Sequence, residues 1–311
     1  MIIITGSSGF IAGSLVKRLI RDNFHHIVLC DFFNNQINNS NITFIKTNKL
    51  FSFIDEHKQS IDLIFHLGAI TDTTFSDETM LNKYNLNYCI NVWNQCVKYS
   101  IPLIYASSAA TYGDGTLGFI DDHHVVDKLM PLNLYAKSKN DFDKFVLKQT
   151  NTPPSWCGLK FFNVFGFDES KKGNMSSIVY QAFNKINSSN EMYLFKSYNK
   201  DFADGFQERD FVYIDDVINV LFFFMNNASS GIYNLGSGKS TAFITLIENV
   251  FKSMKIRPNI KFIEMPISLR DKYQYSTRAD LNKIRSVGYN KSFVEISDAI
   301  EDYVSNYLIM K

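Results

Sequence analysis
Short runs rich in apolar and β-forming residues recur through the first half of the chain, at Ile2 to Thr5, Ile27 to Asp31, Asn41 to Ile45, Leu63 to Leu67, Leu103 to Ser107 and Gly158 to Phe162. Runs of this length without polar alternation predict strands buried on both faces, the habit of parallel sheets. Between the first two, apolar positions recur at helical spacing from Ile11 to Ile20, with Lys17, Arg18 and Arg21 on the exposed side and at the end. Strand and helix alternate, so the expected fold class is α/β, a doubly wound parallel sheet covered by helices on both faces. Beyond about Gly166 the pattern changes to loops rich in Asn, Ser, Lys and Phe, then helices, with strand-like runs returning at Arg209 to Tyr213 and Gly231 to Leu235. That interruption predicts a smaller mixed lobe built from two insertions, 167–208 and 239–311, on a main domain of 1–166 joined by about 209–238.

Composition narrows the partner. A chain of 311 residues can bury a large core. Its 32 basic residues nearly balance its 31 acidic ones, which leaves no field to draw in a nucleic acid backbone or an anionic membrane. A small molecule is the expected ligand, with no nucleic acid and no membrane. The longest apolar run, Val220 to Met225, is far shorter than the roughly 20 residues that cross a bilayer. The opening Met1-Ile2-Ile3-Ile4-Thr5-Gly6 reads as a strand ending in a turn, without the charged start of a cleavable signal, so a cytoplasmic location is expected. Cys30, Cys89, Cys96 and Cys157 form no C-x-x-C pair and read as reduced core thiols. His25-His26 and His123-His124 read as surface or turn residues, and no metal site is expected.

The first strand runs into Gly6-Ser7-Ser8-Gly9-Phe10-Ile11-Ala12 and then into a helix. In that context the first glycine allows a tight turn, the second lets the backbone approach a pyrophosphate, and the small Ala12 permits close helix-to-strand packing. The helix start adds free amides and the positive end of a dipole. Asp31, closing the next strand, is placed to accept hydrogen bonds from ribose hydroxyls. The main domain is therefore read as Rossmann-like and dinucleotide-binding, with the smaller lobe left for substrate. No basic residue follows Asp31 before Lys46, which slightly favours NAD over NADP.

Tyr135 and Lys139 stand one helical turn apart in Tyr135-Ala136-Lys137-Ser138-Lys139. An ammonium beside a phenol favours the phenolate, which can take a proton from a substrate alcohol as hydride leaves. Upstream, a strand ends in Ser107-Ser108-Ala109-Ala110-Thr111-Tyr112-Gly113 and offers Ser108 as a hydroxyl bridging the substrate oxygen to Tyr135. Either feature alone is common as a solvated face or an ordinary strand end. Their order along the chain, after the glycine turn, points to alcohol oxidation.

With these segments, and with His66-Leu67-Gly68-Ala69, Phe161-Phe162-Asn163-Val164-Phe165-Gly166, Lys172-Gly173-Asn174-Met175, Arg209-Asp210-Phe211-Val212-Tyr213 and Asn234-Leu235-Gly236-Ser237-Gly238, the sequence resembles the extended short-chain dehydrogenase/reductase family over nearly its whole length. Within it the resemblance is greatest to the heptose-nucleotide 6-epimerases. It implies that carbon six of an ADP-heptose is oxidised to a ketone by tightly bound NAD or NADP and reduced again from the opposite face, for the lipopolysaccharide core. It implies two acid/base residues, matched by Tyr135 and Lys172, and cofactor contacts at Gly6, Gly9, Phe10, Ile11, Asp31, Leu67, Ala69, Asn85, Tyr135 and Lys139. Substrate contacts are matched by Ser108, Asn163, Lys172, Arg209 and Tyr273, and the family forms homo-oligomers.

Read without the family, Lys172 is a solvated loop lysine and Arg209 a salt-bridge partner of Asp215 or Asp216. Three features depart from the family: Ala12 replaces a third glycine, the lysine after the Asp is absent at Phe32 to Gln36, and no acid falls in Lys46 to Lys49. A 4,6-dehydratase is disfavoured because Ala109-Ala110 occupy the places of its acid and base. A 4-epimerase, an enzyme of a GDP-linked heptose and a non-catalytic dinucleotide sensor stay open as alternatives.

Overall fold
The computed structural model describes residues 1–34, 37, 39–270 and 273–310; the sequence reading at Asn35 and Gln36 lies outside them. The strands are β1 (Ile2–Thr5), β2 (Ile27–Asp31), β3 (Ile42–Lys46), β4 (Leu63–His66), β5 (Leu103–Ser108), β6 (Trp156–Phe161), β7 (Asn163–Phe165), β8 (Met192–Phe195), β9 (Glu208–Tyr213), β10 (Gly231–Leu235), β11 (Ser240–Ala242) and β12 (Ile260–Ile263). The helices used below are α1 (Phe10–Arg21), α2 (Leu50–His57), α3 (Glu78–Leu81), α4 (Tyr88–Lys98), α5 (Leu134–Leu147), α6 (Ile178–Ser189), α7 (Ile214–Met225) and α8 (Phe243–Ser253).

Seven strands form one sheet in the order β10-β6-β5-β4-β1-β2-β3. β1 pairs parallel with both β2 and β4, and β2 with β3, β4 with β5 and β5 with β6 are parallel too. The strand order therefore reverses between β1 and β4, where open α/β sheets place their ligands. Ile3, Val28, Ile64, Leu103 and Trp156 from the strands pack with Val92, Trp93, Cys96 and Phe142 from the helices in one buried cluster. All four cysteines are free and buried. No helix among the described residues is long and apolar enough to cross a membrane.

The chain divides into two compact units, Met1–Gly113 with Asp121–Phe161 and Ile218–Asn234, and Asp114–Ile120 with Phe162–Val217 and Leu235–Lys311. The second unit holds two small sheets, β11-β9-β7 and β12-β8. Pairing of β9 with β7 and β11 draws 208–213 into this unit, so of the segment about 209–238 assigned to the main domain from sequence, only Ile218–Asn234 lies in the first unit.

The loop after Gly113 has a structural task that its polar sequence hides. Asp121 is buried and its Oδ2 accepts the Asn234 N–H at 2.7 Å, while His123 Nε2 accepts the Ile232 N–H at 3.0 Å. Two outward-facing amides of the edge strand β10 are thereby closed off. His123, half-buried at the start of a 3-10 turn, also stacks on Trp156 with ring centroids 6.5 Å apart, a structural task beyond its reading as a surface or turn residue.

Candidate active site
The glycine turn is built by a backbone-to-backbone approach. Gly6 holds φ of +65°, and a Cβ there would lie 2.4 Å from Gly68 Cα and 2.7 Å from Gly68 N. Only a residue without a side chain lets the loop after β1 lie against the loop after β4. Gly9 donates to Gly6 O at 2.9 Å and sits at the start of α1, where no side chain caps the helix and no acid occupies the first turn. Phe10 and Ile11 open the first turn of α1, and the start of a helix suits a phosphate. Ala12, in the place of a third glycine, is buried in the first turn of α1. These features fit a dinucleotide.

Asp31 stands at the end of β2 with Oδ2 accepting the Ser8 N–H at 2.8 Å and Oδ1 accepting the Phe32 N–H at 2.7 Å. Each oxygen keeps a lone pair for a ribose hydroxyl. Leu67 and Ala69 flank Gly68 and are half-buried. Asn85 is fully buried in a π-helical turn, Asn82–Asn87, between α3 and α4. Its Oδ1 accepts the Ile70 N–H at 2.8 Å, and its Nδ2 donates to Ile70 O at 2.9 Å and to Ser138 Oγ at 3.1 Å. Those bonds tie the loop after β4 to α5, so Asn85 shapes the wall of the site from behind.

His66, which the sequence reading left without a role, reinforces the same wall. The Gly68 N–H reaches Thr5 Oγ1 at 3.2 Å, Thr5 Oγ1 lies 2.8 Å from His66 Nδ1, and His66 Nε2 lies 3.1 Å from Cys89 Sγ. The Cys89 thiol donates to Tyr84 O at 3.8 Å, so its sulfur is left to accept from Nε2–H, and Nδ1 accepts from the Thr5 hydroxyl. Burial, with the charge of Lys139 as the smaller cause, pushes the imidazole down to about 3, so His66 is a neutral strut.

α5 begins where Asn133 Oδ1 accepts the Ala136 N–H at 2.8 Å, a side-chain cap that places Tyr135 in the first turn. Tyr135 and Lys139 are both buried on the face of α5 that also buries Ser138, Phe142 and Asp143. Lys139 Nζ donates to Ala106 O at 2.9 Å, which fixes the ammonium against β5. Ser108 closes that strand, and its Oγ accepts the Ala110 N–H at 3.1 Å. The first unit thus gathers Gly6, Gly9, Phe10, Ile11, Asp31, Leu67, Ala69, Asn85, Ser108, Tyr135 and Lys139 around the carboxyl ends of β1, β2, β4 and β5.

The second unit carries the other four residues. Asn163 opens β7 and is exposed. Lys172 lies in a short 3-10 segment, Glu169–Met175, broken at Gly173 with φ of +53°. Glu169 is fully buried there and accepts from Gly166 N at 3.3 Å, Ser177 N at 2.5 Å and Ser177 Oγ at 2.7 Å. One carboxylate therefore closes both ends of the loop. Burial pulls the Lys172 ammonium below its ordinary range, and the charge of Glu169 partly restores it. That is the tuning expected of a proton-exchanging lysine and unlike a solvated one. Arg209 donates to Glu208 O at 2.8 Å, and its guanidinium lies 5.2 Å from the Tyr273 ring centroid and 5.7 Å from that of Phe243. An arginine near two aromatic rings still keeps donors for a diphosphate.

A charged pair that the sequence reading passed over lies behind Ser108. Lys160 on β6 and Asp143 on α5 are each fully buried and meet at 2.7 Å. A single lysine inside the apolar run Trp156 to Phe162 was the available signal, since a buried charge needs a counter-ion. Among the described residues no three His, Cys, Asp or Glu side chains gather as a metal site.

The model of the NAD dependent epimerase/dehydratase family matches residues 2–236. The chain belongs to that family. It is 39% identical to ADP-L-glycero-D-manno-heptose-6-epimerase of Fusobacterium nucleatum over 328 aligned positions, covering 99% of this chain and 98% of that one. The protein of the same description from Brachyspira hyodysenteriae is 36% identical, with 97% and 96% covered. Among solved structures, the ADP-L-glycero-D-manno-heptose-6-epimerase of Helicobacter pylori superposes with a TM-score of 0.82 at 27% identity, covering 98% of this chain and 95% of that one. The UDP-N-acetylglucosamine 4-epimerase of Methanobrevibacter ruminantium, at 19% identity and a TM-score of 0.81, shares the fold.

Proposed function
We propose that the protein inverts carbon six of an ADP-linked heptose, interconverting ADP-D-glycero- and ADP-L-glycero-D-manno-heptose. The observation that carries this reading is the buried Tyr135 and Lys139 pair on α5 with the Ser108 strand end, in a chain whose full-length relatives bear that epimerase name. A dinucleotide held by Gly6, Gly9, the amides of Phe10 and Ile11, and Asp31 would supply a hydride acceptor and donor. Tyr135 takes the proton of the substrate hydroxyl, Lys139 favours the phenolate, and Ser108 donates to the same oxygen. Lys172 serves as the second acid/base, which inversion at an exocyclic carbon requires when the ketone is presented in two orientations. Arg209 and Tyr273 hold the diphosphate, and Asn163 orients the sugar.

The test is incubation with ADP-D-glycero-D-manno-heptose and observation of carbon six by NMR. Tyr135→Phe and Lys172→Met are each expected to lower kcat by roughly 10²–10⁴-fold with cofactor binding intact. Native turnover in Lys172→Met would remove the second base.

NAD is the preferred cofactor in this proposal, because Asp31 and the exposed Phe32 and Phe33 offer a 2′-phosphate a carboxylate and two rings. The margin is small, since Lys46 ends β3 in register with Asp31 and so projects from the same face of the sheet. Lys46→Ala is expected to weaken NADP binding while leaving NAD binding unchanged, as titration by fluorescence would record. The proposal extends to a cytoplasmic homo-oligomer supplying heptose for lipopolysaccharide; light scattering of the purified protein tests the assembly.

A further inference from the structure
The buried ion pair of Asp143 and Lys160 has more hydrogen bonds than charge neutralisation requires, and all of them lead to the end of β5. Asp143 Oδ1 accepts the Tyr105 hydroxyl at 3.0 Å, and Oδ2 accepts the Ser107 hydroxyl and the Lys160 ammonium, each at 2.7 Å. Lys160 Nζ also donates to Thr111 Oγ1 at 2.6 Å, and that hydroxyl donates onward to Ser108 O at 2.7 Å. Together with Lys139 on Ala106 O, every residue from Tyr105 to Ser108 is tied to α5 directly or through Lys160. Asp143 stands one turn beyond Lys139 and two beyond Tyr135, on the same buried face of the helix. Tyr105 is kept a neutral donor, burial and the Asp143 charge both raising its phenol well above its ordinary range.

Stability does not account for this arrangement. A buried ion pair replaced as a unit by apolar side chains of similar volume is often neutral or stabilising, because both charges must be stripped of water. What apolar side chains would not supply is a fixed register between a helix and a strand end. We propose that Asp143 and Lys160 are positioning residues for the chemical step, holding Ser108 in register with Tyr135 and Lys139 so that one substrate oxygen meets both hydroxyls. This rests on the reading that Tyr135 and Ser108 touch substrate. A misplacement of about 1 Å in such a constellation can cost on the order of 10²-fold in rate.

The experiment uses the full chain with bound cofactor and ADP-D-glycero-D-manno-heptose, and compares Tm, cofactor affinity, KM and kcat. In the double variant Asp143→Leu/Lys160→Met, Tm is expected to fall because the buried Tyr105 and Ser107 hydroxyls lose their acceptor, while in the folded protein cofactor affinity and KM stay near native and kcat falls at least about tenfold. Lys160→Arg, which keeps donors for Asp143 and Thr111, should recover most of the turnover. A double variant with native kcat overturns the proposal, as does a loss of kcat that only tracks a loss of folded protein. Should the double variant fail to fold, Thr111→Val decides: it leaves the ion pair in place and cuts the link to Ser108, so unchanged kcat overturns the proposal and a lowered kcat at constant KM supports it. Tyr135→Phe and Ser108→Ala run alongside. Full activity in those two sinks the underlying reading of the site, whereas their inactivity beside an active double variant sinks the positioning role alone.

Discussion
Gly6, in the turn after β1, and Gly13, inside α1, look alike in the sequence and differ in what surrounds them. A methyl group on Gly6 would meet Gly68 Cα at 2.4 Å with φ at +65°, whereas one on Gly13, inside α1, would find its nearest atom, Ser7 O, at 3.8 Å. Gly6→Ala is expected to destabilise by roughly 1–3 kcal/mol and to abolish dinucleotide binding, because the two loops that flank the site must part. Gly13→Ala should instead add about 0.5–1 kcal/mol through helix propensity and leave binding alone. Urea denaturation and cofactor titration of the two variants check the contrast, and equal effects would contradict it. Asn85 enters the sequence reading only as a cofactor contact implied by the resemblance; its bonds to Ile70 and Ser138, partners 15 and 53 residues away, are what no local pattern reveals.

Among the elements, those buried on both faces were legible. β1, β2, β4, β5 and β6 sit within two residues of their expected positions, because a parallel strand between two helical layers has to be continuously apolar. β8, β11 and β12 escaped notice: each spans only three or four residues, too few for a pattern to stand out even in β8, where Met192 and Leu194 are buried, and β11 and β12 carry only half-buried or exposed side chains. The loop carrying Asp121 was illegible for the opposite reason, since its polar residues face an edge strand rather than water. Asp121→Ala leaves the Asn234 amide buried without its acceptor and is expected to cost about 1–3 kcal/mol, measured by urea denaturation. A change within a few tenths of a kcal/mol would mean that water replaces the carboxylate and that the edge is open.

Across the whole molecule, two buried groups respond to acid in opposite senses, one in each compact unit. His66 titrates at 6.5 when unfolded and at about 3 when folded, so the unfolded chain takes up a proton first and stability contributed by the neutral ring is lost as pH falls below 6.5. At pH 5 that loss amounts to about 2 kcal/mol. Asp216 runs the other way: burial, with the Asp215 charge a lesser cause, raises its folded value from 3.8 to about 6 even though its carboxylate accepts the Val294 N–H at 2.8 Å. Its contribution is full below 3.8 and lost as pH rises through 6, so moving from pH 7 to pH 5 returns about 1.4 kcal/mol. The two tryptophans, Trp93 and Trp156, both lie in the core of the first unit, so their emission reports the His66 side. The tryptophan-detected urea midpoint should therefore fall between pH 7 and pH 5, and the fall should vanish in His66→Asn. Asp216→Asn should lessen the opposing gain, which the raised carboxyls of Glu169 and Asp210 share, as hydrogen exchange of the amides around Val294 would read. A tryptophan midpoint that stays fixed in the native chain would mean that His66 takes up its proton while folded, and the strut beneath Gly68 would then have to be charged.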